Sequence, residues 1–265
     1  MTGLTVQKTS GPVPIHSRGK RIMTTPAAPH DTVLHYIHDP LCGWCYGAAP
    51  LVAAARAVLP VQAHGGGMMA GRNRRRVDAQ LRDYVMPHDQ RIAQMTGQAF
   101  GEPYFNGLLR DTEAVFDSAP PIAAVLAVQA LKGEAAGLDM LAAIQRAHYQ
   151  QGRRISDVAT LVELAQTLDI EAAAFTGEMQ RIEQEELANH IEASRELLNY
   201  VGGRGFPTFV LQRGDTLEVL DTGRWLGQPE EWASYLREET ASSGAAVAAA
   251  DNGLAQCDLQ TGRCD

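Results

Sequence analysis

The sequence predicts an α/β fold in which a β-α-β unit and a C-terminal β-hairpin with a closing helix are separated by a large all-helical insertion. Two β-rich runs, at residues 32–38 and 59–64, flank an Ala- and Leu-rich run. Apolar side chains recur at helical spacing across residues 72–200, where strand signals are few. Two further β-rich runs surround a Gly-Asp turn within residues 206–220, as in a hairpin.

The β-α-β unit opens with a strand at residues 32–38, which ends before Pro40 because proline restricts the residue preceding it. Residues 45–58 favour helix except at Pro50. Residues 59–64 form a second strand that runs into Gly65-Gly66-Gly67. A crossover helix between two strands implies that the strands are parallel and that the connection between them is right-handed.

The remaining elements follow the same patterns. Helical periodicity predicts helices at residues 77–95, 122–131, 140–149, 158–168 and 178–200, and then strands at 206–211 and 216–220. A closing helix over Pro229–Glu239 has an apolar face built from Trp232, Tyr235 and Leu236.

These elements divide the chain into four parts. We expect a flexible leader at residues 1–30, a discontinuous domain built from 31–71 and 201–240, the insertion at 72–200 and a flexible Ala/Ser/Gly-rich tail at 241–265.

Composition excludes several classes of function. The chain has 265 residues and a formal net charge of −8, so it lacks the positive charge that binds nucleic acid or anionic lipid. No run approaches the roughly 18 apolar residues of a membrane span, and no apolar segment near the N-terminus resembles a secretory signal. We therefore expect a cytoplasmic protein without nucleic-acid or membrane partners, whose oligomeric state the sequence leaves open.

A Cys-x-x-Cys pair carries the strongest chemical signal. Cys42 and Cys45 lie at the predicted junction of the first strand and its helix, where unpaired backbone N–H groups favour a thiolate at the first sulfur. Cys42 is therefore the candidate nucleophile, and Cys45, one turn into the helix, is the candidate resolving thiol. Asp39 would oppose the thiolate form of Cys42, whereas a protonated His38 would favour it, so the direction of electron flow stays open.

Zinc binding and an inert pair are the alternatives. Zinc needs a second ligand pair, and His35 and His38 point to opposite faces of a strand, so redox chemistry is preferred and no metal is predicted. The second pair, Cys257 and Cys264, is compatible with two exposed thiols, a redox relay to Cys42 and Cys45, or metal binding.

The segment Asp39-Pro40-Leu41-Cys42-Gly43-Trp44-Cys45-Tyr46-Gly47 resembles the thioredoxin superfamily, in particular the DsbA-like thiol–disulfide oxidoreductases of the FrnE type, and Pro50 matches the proline that kinks their active-site helix. Gly205-Phe206-Pro207-Thr208-Phe209 resembles the family's second signature, whose proline is cis. The resemblance implies a thioredoxin fold with a helical insertion. It also implies that Pro207 lies against the Cys42 sulfur and that Trp44, Phe206, Pro207 and Thr208 contact substrate, with the Phe206 backbone pairing with an extended peptide.

The resemblance implies a thiol–disulfide oxidoreductase, which includes protein disulfide isomerases. Its substrates would be disulfide- or thiol-containing peptides or small molecules, its only redox group would be the cysteine pair, and glutathione is a candidate co-substrate. Tyr36 replaces the buried acid of many members, which leaves the proton acceptor for Cys45 unassigned.

Two other functions are alternatives to the oxidoreductase. A glutathione-dependent isomerase or transferase on the same fold is disfavoured, because those relatives have serine at the Cys42 position. A client-binding holdase would need neither cysteine.

Weaker signals lie after the second strand. Met68 and Met69 either fill the core or line a substrate groove. The basic run of Arg72, Arg74, Arg75 and Arg76 is expected to be a solvated face, with a smaller chance of contacting glutathione or an acidic peptide. His88, His148 and His190 are expected at the surface or in the core.

Overall fold

The computed structural model describes residues 32–251. The predicted leader and the Cys257 and Cys264 pair lie outside the described residues. The strands are β1 (Thr32–His38), β2 (Val61–Gly65), β3 (Arg75–Arg76), β4 (Val115–Phe116), β5 (Thr208–Arg213) and β6 (Thr216–Leu220). The helices are α1 (Gly43–Gly47), α2 (Ala49–Arg56), α3 (Ala79–Thr96), α4 (Ala119–Lys132), α5 (Glu134–Tyr149), α6 (Val158–Gln166), α7 (Ala172–Glu185), α8 (Leu187–Tyr200) and α9 (Pro229–Asp251).

The central sheet joins the two ends of the predicted discontinuous domain. Its four strands have the order β2-β1-β5-β6, with β1 parallel to β2 and antiparallel to β5. The hairpin of β5 and β6 turns at Gly214, whose positive φ of 56° is readily available to glycine. The predicted β-α-β unit and hairpin are therefore confirmed, and β1 occupies an interior position that places the following loop above the middle of the sheet.

Large buried side chains hold the helices on this sheet. Tyr36 of β1 stacks on Phe209 of β5 with ring centroids 4.8 Å apart, and Phe209 packs edge-on against Trp232 of α9 at 5.9 Å. The indole Nε1 of Trp232 donates a hydrogen bond of 3.1 Å to the carbonyl of Leu51 in α2. These contacts hold α2 and α9 against the sheet, beside the Cys-x-x-Cys segment.

The first predicted helix is divided where proline predicts a break. Helix α1 ends at Gly47, Ala48 separates the two helices, and Pro50 lies in the first turn of α2. Proline is tolerated there because an N–H in the first turn has no partner within the helix.

The insertion consists of α3 to α8 and one element that the sequence analysis did not predict. β3 and β4 pair in an antiparallel ladder of two residues each, so the expectation of an all-helical insertion is wrong at this point. Two residues are too few to produce the alternating pattern by which strands are recognised. The helix predicted at 178–200 is also two helices, which meet at Glu186 with backbone angles of φ −122° and ψ −35°.

The closing helix is longer than predicted. Helix α9 continues through Asp251, whereas the sequence analysis ended it near Glu239 and treated the residues beyond as a flexible tail. Alanine has the highest intrinsic helix propensity, so the Ala-rich composition that suggested a linker also favours continuing the helix. Within residues 32–251, none of the helices combines the length and apolar character that a membrane crossing requires.

Candidate functional site

Cys42 lies at the junction of β1 and α1, as predicted. It is the N-cap residue of α1, and its sulfur accepts a hydrogen bond of 3.3 Å from the backbone N–H of Cys45. Its own N–H donates to the carbonyl of Asp39 at 3.1 Å. The sulfur of Cys42 therefore receives a hydrogen bond from a donor that otherwise has no partner in the first helical turn.

The two cysteines differ in access. Both are thiols in this structure, and Cys42 retains 6% exposure while Cys45 has none. Burial raises the pKa of the Cys45 thiol well above its usual value, and the hydrogen bond and charge of Cys42 raise it further. At neutral pH Cys45 is therefore protonated, in keeping with a thiol that acts after Cys42.

Phe206 reaches the Cys42 sulfur from 164 residues away along the chain, and Pro207 directly follows it. The Cys42 thiol donates to the carbonyl oxygen of Phe206 at 3.4 Å, and the Phe206–Pro207 peptide bond is cis. The Thr208 hydroxyl donates to the Gly205 carbonyl at 2.7 Å, which closes this turn before β5. Because the Phe206 carbonyl lies directly at the sulfur, an incoming extended chain would meet both groups together.

An open cavity of about 380 Å³ extends from Cys42 to the helical insertion. Its walls include the predicted Trp44 and Phe206, and Met68 and Met69 line it as well. Its lining is mainly apolar, with a few polar groups, the composition typical of sites that bind small organic ligands.

The far wall of the cavity was not predicted as part of the site. It comes from α3, β3, β4, α5 and the segment 100–105, called the aromatic segment because it contains Phe100, Tyr104 and Phe105. These elements contribute the following cavity-lining side chains: Arg75, Leu81, Tyr84, Val85, His88, Asp89, Ile92, Tyr104, Phe116 and Tyr149. Arg75 is the half-buried member of the basic run, while Arg72, Arg74 and Arg76 are exposed. Helical periodicity indicated that α3 has an apolar face, but no pattern in the sequence indicates which element that face meets.

Tyr46 attaches the Cys-x-x-Cys helix to this wall. Its ring stacks on Tyr149 with centroids 4.7 Å apart, and its hydroxyl donates to the Ala99 carbonyl at 2.7 Å. The side chain of Gln150 donates to the same hydroxyl at 2.8 Å. The residue after the second cysteine therefore holds α1 against the insertion and keeps the cavity open beside Cys42.

Asp39 is fully buried and organises the loop on the other side of Cys42. Its carboxylate accepts hydrogen bonds from the backbone N–H groups of Leu41 and Met68 and from the hydroxyl of Ser118. Burial raises the pKa of the Asp39 carboxyl to about 6, although these hydrogen bonds lower it. Asp39 thus connects the end of β1 to the loop that contains Met68 and Met69. Its negative charge also contributes to the raised pKa of Cys45.

His38 does not have the charge that the sequence analysis considered for it. Burial lowers the pKa of His38 to about 3, and the neighbouring His190 and His64 lower it further. His38 is therefore neutral near pH 7 and supplies no positive charge to the Cys42 thiolate. Its ring stacks on Tyr36 at 5.0 Å, and the Tyr36 hydroxyl donates to the Cys45 carbonyl at 3.1 Å. Tyr36 thus positions the Cys45 backbone in place of the absent buried acid.

The remaining histidines do not form a ligand set. His35 contacts His64 and Gln212, away from the Tyr36 and His38 stack, which agrees with the predicted opposite faces of β1. Among residues 32–251, no group of three or more His, Cys, Asp or Glu side chains is arranged to hold a metal ion.

Gly66 is required for close packing beside Phe206. An alanine Cβ at Gly66 would overlap the Phe206 ring, whereas one at Gly177 in α7 meets nothing within 4 Å. We expect Gly66→Ala to displace Phe206 from Cys42, slow thiol–disulfide exchange at Cys42 about tenfold and cost about 1–3 kcal/mol of stability through overpacking. The rate of insulin-disulfide reduction and urea unfolding measure the two effects. Equal rates for Gly66→Ala and Gly177→Ala would show that the Phe206 position does not matter.

A four-stranded sheet that carries a Cys-x-x-Cys pair after its first strand, opposite a proline before its hairpin, is the architecture of DsbA-like proteins in the thioredoxin superfamily. The chain belongs to this family of thiol–disulfide oxidoreductases. It is 55% identical to the cytosolic disulfide reductase DsbM from Pseudomonas aeruginosa, with a TM-score of 0.75 over 79% of this chain and 99% of that chain.

Two further solved structures support the family. DsbM from Pseudomonas aeruginosa with GSH is 53% identical and has a TM-score of 0.72, again over 79% of this chain and 99% of that chain. A putative protein disulfide isomerase from Nitrosomonas europaea is 27% identical, with a TM-score of 0.66 over 80% of this chain and 98% of that chain. No protein-family model and no curated protein matches the chain.

Proposed function

We propose that this oxidoreductase reduces disulfides through Cys42 and Cys45 in the cytoplasm, with glutathione as its thiol co-substrate. The observation that carries the proposal is the asymmetry of the pair. Cys42 lines the open cavity, and its sulfur accepts a hydrogen bond from the Cys45 N–H. Cys45 lies behind it and is fully buried and protonated. One sulfur is therefore accessible for attack on a substrate, and the other is placed to attack Cys42 next.

The two steps balance without a bound cofactor. The Cys42 thiolate attacks one sulfur of a substrate disulfide, forms a Cys42–substrate disulfide and releases the other substrate sulfur as a thiol after it takes up a proton. Cys45 then loses its proton and attacks Cys42, which releases the second substrate thiol and leaves a Cys42–Cys45 disulfide. Two glutathione molecules reduce that disulfide and become one glutathione disulfide.

Glutathione as the co-substrate is supported by the cavity and by the comparison. The DsbM structure that is 53% identical to this chain is described with GSH. The cavity beside Cys42 joins an apolar lining to the guanidinium of Arg75, which offers a charged donor to a carboxylate of a small peptide thiol. Reduction rather than oxidation, and a cytoplasmic location, are supported by the description of that relative as a cytosolic disulfide reductase.

A trapping experiment tests the proposal. The Cys45→Ser protein, incubated with glutathione disulfide, is expected to accumulate a stable glutathione adduct on Cys42, because the thiol that would resolve it is absent. Mass spectrometry of proteolytic peptides locates the adduct. Wild-type protein is the control and should hold the adduct only transiently. No adduct, or an adduct confined to Cys257 or Cys264, would contradict the proposal.

A further inference from the structure

Asp89 is a buried acid in the wall of the cavity that the two cysteine steps leave unused. It lies on α3, is only 4% exposed and lines the same cavity as Cys42. Its Oδ2 accepts a hydrogen bond of 2.7 Å from the hydroxyl of Tyr104. Its Oδ1 packs on Gly43, so closely that a Cβ at Gly43 would overlap it. The first residue between the two cysteines thus lacks a side chain where a carboxyl group from the insertion occupies the space.

Within the described residues, the groups that face the Asp89 carboxyl most closely are neutral hydroxyls. Tyr104 and Tyr149 face it from the aromatic segment and α5, and burial raises the pKa of both hydroxyls well above the usual value, so they stay neutral. The Arg75 guanidinium lines the cavity but donates a hydrogen bond of 3.1 Å to Asp78. His88, which precedes Asp89 on α3, is exposed. The sulfur of Cys42 lines the same cavity, and Cys42 directly precedes the Gly43 on which Asp89 packs.

We propose that Asp89 is the general acid of the exchange reaction, and that its carboxyl group gives a proton to the thiolate that leaves when Cys42 attacks a substrate disulfide. This inference rests on the proposed role of Cys42. The new bond joins Cys42 to one substrate sulfur, the substrate S–S bond breaks, and its electron pair leaves on the second sulfur. That sulfur takes the Asp89 proton and departs as a neutral thiol. Asp89 then regains a proton from water, which balances the proton that Cys42 gave up when it ionised.

The ionisation of Asp89 suits this role. Burial raises the pKa of its carboxyl to about 6, while the Tyr104 hydrogen bond and the charge of His88 lower it. A carboxyl group with an ordinary pKa would be almost wholly ionised near neutral pH, whereas one near 6 keeps a useful protonated fraction. Proton transfer matters most when the leaving thiol is a weak acid, because its thiolate is then the poorest leaving group.

Two uncharged disulfides with different leaving groups test the proposal. Dithiodipyridine releases a thiol that needs no proton to leave, whereas bis(2-hydroxyethyl) disulfide releases an alkyl thiolate of high pKa. Every protein carries Cys45→Ser, Cys257→Ser and Cys264→Ser, so that only Cys42 reacts. Asp89→Asn keeps the shape and the acceptor for Tyr104. We expect it to slow the reaction with bis(2-hydroxyethyl) disulfide at least about tenfold and the reaction with dithiodipyridine less than about twofold.

The pH dependence gives a readout that a structural role would not change. The quantity to measure is the rate with bis(2-hydroxyethyl) disulfide divided by the rate with dithiodipyridine. In the triple-serine protein that retains Asp89, this ratio should fall as the pH rises through about 6, and in Asp89→Asn it should not change with pH. Tyr104→Phe removes a hydrogen bond that favours the carboxylate, so it should move the fall to higher pH. Asp83→Asn, an exposed position on the same helix, is the matched control and should change neither rate.

The outcomes separate this inference from the proposed function. If a Cys42→Ser protein that keeps its other three cysteines still reduces insulin disulfides at the wild-type rate, the proposed function fails. If Cys42 is required but Asp89→Asn slows both disulfides equally or neither, only the role of Asp89 is overturned. If Asp89→Asn does not fold, the ratio of the two rates in the protein that retains Asp89 tests the proposal by itself. A ratio that does not change with pH also overturns the proposal.

Discussion

Replacing Cys42 with serine is expected to abolish the reduction of insulin disulfides. The proposed attacking group is the Cys42 thiolate, and a serine hydroxyl does not ionise near neutral pH even where a backbone N–H points at it, as the Cys45 N–H does here. The rate should fall by well over a factor of ten, which corresponds to more than about 1.4 kcal/mol of activation free energy. Turbidity from precipitated insulin chains, with glutathione or dithiothreitol as reductant, measures it.

The matched variant is Cys45→Ser, which keeps the attacking thiol and removes the resolving one. It should lose turnover but retain the first exchange step. A Cys42→Ser protein with more than about a tenth of the wild-type rate would contradict the assignment of Cys42. The same pair separates the alternatives. A glutathione-dependent isomerase or transferase would not need Cys45, and a client-binding protein would suppress aggregation without either cysteine.

Acidification from about pH 7 to about pH 5 is expected to destabilise the protein by about 3 kcal/mol, chiefly through its buried histidines. Burial lowers the pKa of His38 and His148 to about 3 and that of His64 to about 4, from the ordinary 6.5. The unfolded chain therefore takes up protons below pH 6.5 that the folded protein does not bind. Stability is lost as the pH falls from that value towards the folded pKa values, at roughly 2 kcal/mol for each histidine at about pH 5.

Two buried carboxyl groups act in the opposite direction. Burial raises the pKa of Asp39 and Asp89 from 3.8 to about 6, so the folded protein binds protons that the unfolded chain does not. Their contribution to stability is full below the unfolded pKa and is lost as the pH rises through about 6. Between pH 7 and pH 5, acidification restores roughly 1 kcal/mol or slightly more of stability for each carboxyl group, which is less than the histidines remove.

Urea unfolding at the two pH values measures this balance, and one histidine identifies its source. His148 is buried among the rings of Tyr104, Phe116 and Tyr149, so His148→Phe should be accommodated and should reduce the acid-induced loss by roughly 2 kcal/mol. Gly177→Ala changes no titratable group and meets nothing within 4 Å, so it is the control and should leave the loss unchanged. Equal stability of the wild-type protein at both pH values, or an undiminished loss in His148→Phe, would refute the role of the buried histidines.

The sequence by itself predicted the class of enzyme, a thiol–disulfide oxidoreductase, and most of the secondary structure. Strand β1 is predicted with its observed bounds, because its β-rich residues end at Asp39-Pro40. The position of Cys42 at the start of a helix follows from the same local pattern. Phe206 and Pro207 were placed at Cys42 through a motif resemblance, not through periodicity. These features depend on neighbours a few residues away or on recognisable short motifs.

Only the tertiary structure decided what surrounds the reactive sulfur. Asp89 reaches the cavity because α3 packs on α1, and Tyr149 reaches it because its ring stacks on Tyr46 of α1. Both contacts join elements that are far apart in the chain. The neutral state of His38 is likewise a consequence of complete burial, which the sequence of β1 does not reveal. Periodicity specifies that a helix has an apolar face, but close approach, burial and the ionisation that follows from burial depend on which surface that face meets.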